Sequence, residues 1–286
     1  MNRQKVLWGL IIVLFATVWI SVCVISEQET DKLQEKRKPG EHEAEFKAED
    51  KLDNGETEPI SVELGYLGHS AFLLSVDGYT ILMDPYSPQV GYEELQLEAD
   101  LITVSHEHVD HNYIDAAPGA EIIRGLSTDG LGWENVSFSK GEIEIFNMPS
   151  YHDDKAGRLR GLNSIFIFDA GDVRIVHLGD LGHVLSEEEI EKLSPVDILL
   201  LPVGGHYTIG PSEAEQLLKD LKPSVAVPMH YRTDATKNWP IVDVKTFIGD
   251  KENVVEKKDK FMPVNREDLP ETTEIWLMKK FIPSEQ

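Results

Sequence analysis

Residues 101–111 read LITVSHEHVDH. The first five are apolar or β-type, and the last six hold four potential metal ligands, His106, His108, Asp110 and His111. In an extended segment, residues two apart point to the same side, so His106 and His108 can converge on one ion from the end of a strand. Asp110 and His111, in the turn that follows, can reach a second ion. Three imidazoles plus water suit a catalytic zinc with an open position, and carboxylate plus imidazole suits a neighbouring zinc, manganese or iron. The alternative, a polar loop of solvated histidines, does not account for three His and one Asp crowded behind a buried-type strand. Later strand ends supply further ligands: His152 in SYHDD, Asp180 in HLGDLGH and His230 in PMHYRT.

Working outward, short β-type runs occupy 61–67, 70–76 and 79–85, with Asp77-Gly78 as a hairpin signal between the second and third. Further strands are expected at 101–105, 121–125, 143–148, 164–170, 173–179, 197–203 and 224–229. Ser186 with Glu189, and Ser212 with Glu215, fit the Ser-x-x-Glu capping box and predict helices over EEEIEKL and EAEQLLKDL. Strands interleaved with helices in this order predict an α/β fold of two sheets with helices outside, four layers in all.

The order HxHxDH, His, Asp, His over residues 60–278 resembles the metallo-β-lactamase superfamily. The resemblance implies an αβ/βα sandwich with two divalent metal ions at one edge between the sheets, zinc first and manganese or iron as alternatives. It also implies that His106, His108 and His152 hold one ion, that Asp110, His111 and His230 hold the other, and that Asp180 bridges them. LGHSAFLL (67–74), ILMDPY (81–86), HLGDLGH (177–183) and LPVGGHYTIGPSEA (201–214) are similar to the branch that includes L-ascorbate-6-phosphate lactonase and metal-dependent hydrolases. True β-lactamases lack the GGxxT(I/M)G stretch found here at 204–210.

The activity so implied is hydrolysis of a lactone, ester or phosphodiester in a small-molecule substrate. Two ions about 3.5 to 4 Å apart can share a water and lower its pKa from 15.7 towards roughly 7. Asp110 orients that water or carries its proton. An iron-dependent oxidoreductase of the same fold, or a catalytically idle membrane-tethered binding module, are the competing readings. His69 and His206 are candidate catalytic residues, as hydrogen-bond donors or proton carriers; His183 is a weaker one, and His177 reads as structural. Arg158, Arg160 and Asn163 follow His152 closely enough to bring donors to an anionic substrate group, or are solvated loop residues. Ser137-x-x-Lys140 fits a serine β-lactamase pattern but has no Ser-Asp-Asn or Lys-Thr-Gly companion, and is read as chance.

The remainder of the chain sets boundaries. Residues 6–25 hold twenty consecutive uncharged residues, which as a helix would span roughly 30 Å, a bilayer's hydrocarbon thickness. A cleaved signal peptide would have an apolar region of about 7 to 15 residues and an Ala-x-Ala-like site, which is not found. A lipoprotein signal ending at Cys23 would place the bulky Val22 where a small residue is usual. An uncleaved anchor over 1–25 is therefore expected. Residues 26–58 carry 12 acidic and 6 basic side chains and few apolar ones, the composition of a solvated linker. Residues 59–286 form the expected hydrolase domain and keep −20 of the −24 net charge, which disfavours nucleic acid as a partner. The single cysteine, Cys23, excludes an intrachain disulfide and a zinc finger. Arg3 and Lys5 precede the span and Glu27, Glu29 and Asp31 follow it, so the domain should face outward, although Lys32, Lys36, Arg37 and Lys38 pull the other way. Protease added to intact cells should remove the domain and leave a membrane-bound stub. Protection until lysis would reverse this topology.

Overall fold

The computed structural model describes residues 60–281; the apolar span at 6–25 and the charged segment at 26–58 lie outside the described residues. Among the described residues, no helix is long and apolar enough to cross a membrane. The chain runs β1 (Val62–Gly68), β2 (Ala71–Val76), β3 (Tyr79–Met83), β4 (Leu101–Val104), β5 (Glu121–Arg124), β6 (Ser137–Lys140), β7 (Ile143–Tyr151), β8 (Leu162–Ala170) and β9 (Val173–His177). It continues through α1 (Glu187–Leu193), β10 (Ile198–Pro202), α2 (Pro211–Leu221), β11 (Val225–Met229), α3 (Val244–Ile248), β12 (Val254–Lys257), β13 (Phe261–Pro263) and β14 (Glu274–Met278).

Two sheets result. Six strands lie in the order β13-β1-β2-β3-β4-β5, and eight in the order β12-β14-β11-β10-β9-β8-β7-β6. Their facing sides interdigitate Leu64, Phe72 and Leu74 from one sheet with Phe166, Phe168, Leu200 and Val227 from the other. β10 and β11 are parallel neighbours buried along their whole length, which is why ILLLP and VAVPM read as continuous β-rich runs rather than alternating ones. The outer face of the eight-stranded sheet packs against Leu193 of α1, Leu217 of α2 and Phe247 of α3.

The α/β sandwich forms as expected, with one difference in its outermost layer. Over the six-stranded sheet the cover is irregular chain with two short 3-10 turns at Pro88–Val90 and Ile114–Ala116, contributing Tyr86, Tyr92, Leu95 and Ala116. Pro85, Pro88 and the left-handed Gly91 prevent that stretch from continuing as an α-helix.

The Ser186 capping box forms, with Glu189 N–H donating to Ser186 Oγ at 3.3 Å and Ser186 N–H to Glu189 Oε2 at 2.7 Å. The Ser212 box does not. α2 starts at Pro211, whose fixed φ suits a first helical turn, and it is Glu213 that accepts the N–H of the N-cap Gly210, at 3.2 Å. Ser137 and Lys140 lie on the short edge strand β6 and are both exposed, in keeping with a chance motif.

Gly204, just past β10, permits the close approach on which the site depends: a Cβ there would sit 2.0 Å from the carbonyl oxygen of His230. Gly204→Ala should therefore destabilise the fold by about 1–3 kcal/mol, the range for overpacking, read as a lowered midpoint in urea melts. An unchanged midpoint would show that the two loops separate freely.

Candidate metal centre

His69 and every proposed ligand follow the C-terminal end of a strand on one rim of the sandwich: His69 after β1, residues 106–111 after β4, His152 after β7, Asp180 after β9 and His230 after β11. His69, Asp84 and His230 have φ of 53, 43 and 52°, the left-handed region that non-glycine residues rarely occupy. Such strained turns cluster where a side chain must be aimed into a site.

Nitrogens of His106, His108 and His152 lie within 4.8 Å of one another, and a second group brings together His69, Asp110, His111 and His230 within the same limit. Asp180, 1% exposed, stands between the groups. Its Oδ2 lies 3.1 Å from His152 Nε2, 3.3 Å from His230 Nε2 and 3.8 Å from His106 Nε2, while Oδ1 lies 3.1 Å from His111 Nε2. His111 Nε2, His230 Nε2 and Asp180 Oδ1 are buried without a hydrogen-bond partner. Orphaned donor-set atoms at this density fit divalent cations, because burying them unsatisfied would otherwise be costly.

Protonation agrees with that use at every group described below except His111. Burial holds His106 and His108 below the usual imidazole range and pushes His69 down to about 4, so these rings are neutral. At Asp180 burial favours the neutral acid, but His111, His230 and His152 outweigh it and hold the carboxyl well below its usual range. Asp110 is likewise lowered, by His111 and by the His69 hydrogen bond against the opposing effect of burial. At His111 burial is outweighed by the Asp180 and Asp110 carboxylates, which raise it.

The hydrogen bonds behind the rings select which nitrogen faces the centre. His111 Nδ1–H donates to Asp84 Oδ2 at 2.8 Å, and His152 Nδ1–H to the carbonyl of Tyr207 at 3.1 Å. Ser105 donates its hydroxyl to Asp84 Oδ2, accepts from His106 Nδ1–H at 2.9 Å, and donates its N–H to Asp84 Oδ1 at 2.8 Å. One buried carboxylate thus orients a ring in each group. Sequence reasoning left Asp84 unassigned; ILMDP ends a strand, but only the folded turn shows the carboxylate reaching Ser105 and His111.

His69 is fully buried, with Nε2 3.0 Å from Asp110 Oδ2 and its ring 4.2 Å from that of His230. His206 is exposed, stacks edge-on against Tyr207, and is not brought to the cluster. His183 accepts the N–H of Tyr151 at 3.2 Å and so braces the strand before His152. His177 donates to the carbonyl of Ser70 at 2.8 Å, a structural role. Asn163 faces inward rather than towards substrate: its Oδ1 accepts the N–H of Asp180 at 2.9 Å. Arg158 is exposed and donates to the carbonyl of Lys155. Arg160 reaches the cleft over the cluster, together with Tyr207 and Trp239, two aromatic residues that the sequence did not mark.

A two-sheet sandwich with paired His/Asp groups on one rim defines a metallo-β-lactamase-type protein. The beta-lactamase superfamily domain model matches residues 63–230. A UPF0173 metal-dependent hydrolase of Thermococcus onnurineus is 32% identical over 221 residues, 68% of this chain and 95% of that protein. The corresponding protein of Pyrococcus abyssi is 34% identical over the same shares. The crystal structure of a metallo-beta-lactamase superfamily protein from Thermotoga maritima superposes with a TM-score of 0.59 at 25% identity, covering 76% of this chain and 98% of that one. The chain belongs to the beta-lactamase superfamily and, within it, to the UPF0173 metal-dependent hydrolases.

Asp84→Asn keeps volume but removes the ionic acceptor behind His111 and Ser105. Metal affinity should fall 10- to 100-fold, measured by chelator competition, with cooperative melting retained. Undiminished affinity would show that Asp84 does not act on the centre.

Proposed function

We propose that this metal-dependent hydrolase works with two divalent ions, zinc first among the candidates, on a lactone, ester or phosphodiester. The observation that carries the reading is Asp180, whose two oxygens face nitrogens of both histidine groups. His106, His108 and His152 would hold one ion and Asp110, His111 and His230 the other, with Asp180 common to both.

Divalent metal so held supplies Lewis acidity, polarising the scissile oxygen and bringing the pKa of water from 15.7 towards about 7. The rest of the chemistry falls to the chain. Asp110, with 13% of its side chain exposed, lines the cleft and orients the water as it adds to the substrate. His69 Nε2–H, neutral by burial, donates to Asp110 Oδ2 and keeps the carboxylate turned to the cleft, a positioning role rather than a ligand's. The proton that the water loses passes to the leaving alkoxide, so water is consumed and acid and alcohol are formed. No Ser or Cys nucleophile is required.

Purified full-length protein, replete with metal, should carry close to two ions per chain by elemental analysis. Asp180→Ala should lose both and His230→Ala mainly one; equal single losses would contradict a shared carboxylate. His69→Gln should lower kcat on a lactone or ester substrate about 10- to 100-fold while metal content stays at two. Loss of one ion in that variant would instead make His69 a ligand.

A further inference from the structure

The cleft above the cluster encloses about 510 Å³, the size of a small-molecule site. Of its four charged side chains, Asp110 and Asp180 belong to the cluster, and Glu107 and Arg160 stand apart from it. Glu107 is neutralised: both its oxygens accept from Arg124 Nη1, at 2.6 and 2.7 Å, and Asn112 donates to it as well. Arg160 has no carboxylate partner among the described residues; its guanidinium lies 5.8 Å from the centroid of the Tyr207 ring.

The position of Arg160 is built rather than incidental. Asp153, buried beside His152, accepts the N–H groups of Lys155, Gly157, Leu159 and Arg160, the last at 2.7 Å. Those four donors outweigh the effect of burial and hold the Asp153 carboxyl below its usual range. Tyr207, on which Arg160 rests, gives its carbonyl to His152. Tyr207 therefore contacts both the cation and the candidate ligand. Opposite, Trp239 meets Tyr207 edge-on at 5.9 Å and continues to the His69 ring at 5.5 Å, so the wall between cation and cluster is aromatic. Val109 and Leu159, 55% and 67% exposed, add apolar surface at the mouth.

An unpaired guanidinium in a domain of net charge −20 runs against the overall field, and it is the planar, bidentate donor suited to carboxylate and phosphate. We propose that the cleft takes a substrate whose scissile bond lies beside an apolar or aromatic body bearing a carboxylate or phosphate, and that Arg160 holds this anion. The assignment rests on the hydrolase reading for its scissile bond but not for its anion site.

The test is calorimetric titration of the metal-loaded full-length protein with phenylacetate, phenyl phosphate and benzyl alcohol. Both anions, or one of them, should bind at least tenfold more tightly than the alcohol. Arg160→Ala should cancel most of that preference and Arg160→Lys should keep part of it. The anion that loses more affinity identifies the headgroup. Arg160→Ala should keep the parent's metal content and cooperative melting midpoint, which a misfolded loop would not allow. Anion affinity in Arg160→Ala within twofold of the parent overturns the proposal, since the metals alone would then carry the anion. Arg160-dependent binding with no hydrolysis of any ester leaves the anion site standing and sinks the hydrolytic reading instead.

Discussion

A buried carboxylate among imidazoles is the constraint on which this rim of the molecule depends. Taking the charge of Asp180 out of water costs several kcal/mol unless it is met by partners, and the partners come from three separate strand ends, after β4, β7 and β11. No single loop could surround it. The backbone of Asp180 is itself anchored, through Asn163, to strand β8, and Gly182 lets the following turn pass the main chain of His152, where a Cβ would lie 2.3 Å away. The site is a property of the packed sandwich, and the sandwich is shaped at that end by the need to close around one charge.

Behind the candidate ligands lies a second layer with its own logic. Asp84 touches His111 directly and His106 through the Ser105 hydroxyl, so the same carboxylate fixes the ring orientation in each group. The left-handed backbone at Asp84 is what turns its side chain back under residues 105–111. Strain in one residue is tolerated because several buried hydrogen bonds depend on it.

The substrate side follows different rules. Glu107, Arg160, Tyr207 and Trp239 come from four separated loops and are only partly buried or exposed, so their identities are free of the core-packing demands that govern β10 and β11. Chemistry is supplied by the rigid rim, while selectivity is left to surfaces that tolerate change.

The strands and the HxHxDH cluster were legible because each is a local pattern: apolar runs of strand length, and ligands spaced to share one side of an extended segment. The two-sheet layout followed from their order, and the family resemblance named the remaining ligands in sequence. Boundaries that hinge on one residue were less legible, as α2 shows, where Pro211 moved the helix start. The strands β12, β13 and β14 were missed because VVEK, FMP and EIWLM are short and stand among polar residues. Sequence by itself thus determined the candidate ligand types, their order and the acidic charge of the domain. Tertiary structure alone decided that Asp84 orients a ring in each group, that His69 is buried against Asp110 while His206 stays outside, and that Arg160 stands without a carboxylate partner at the cleft. Each of those is a relation between residues far apart in the chain, set by sheet register and loop closure, and no local pattern encodes it.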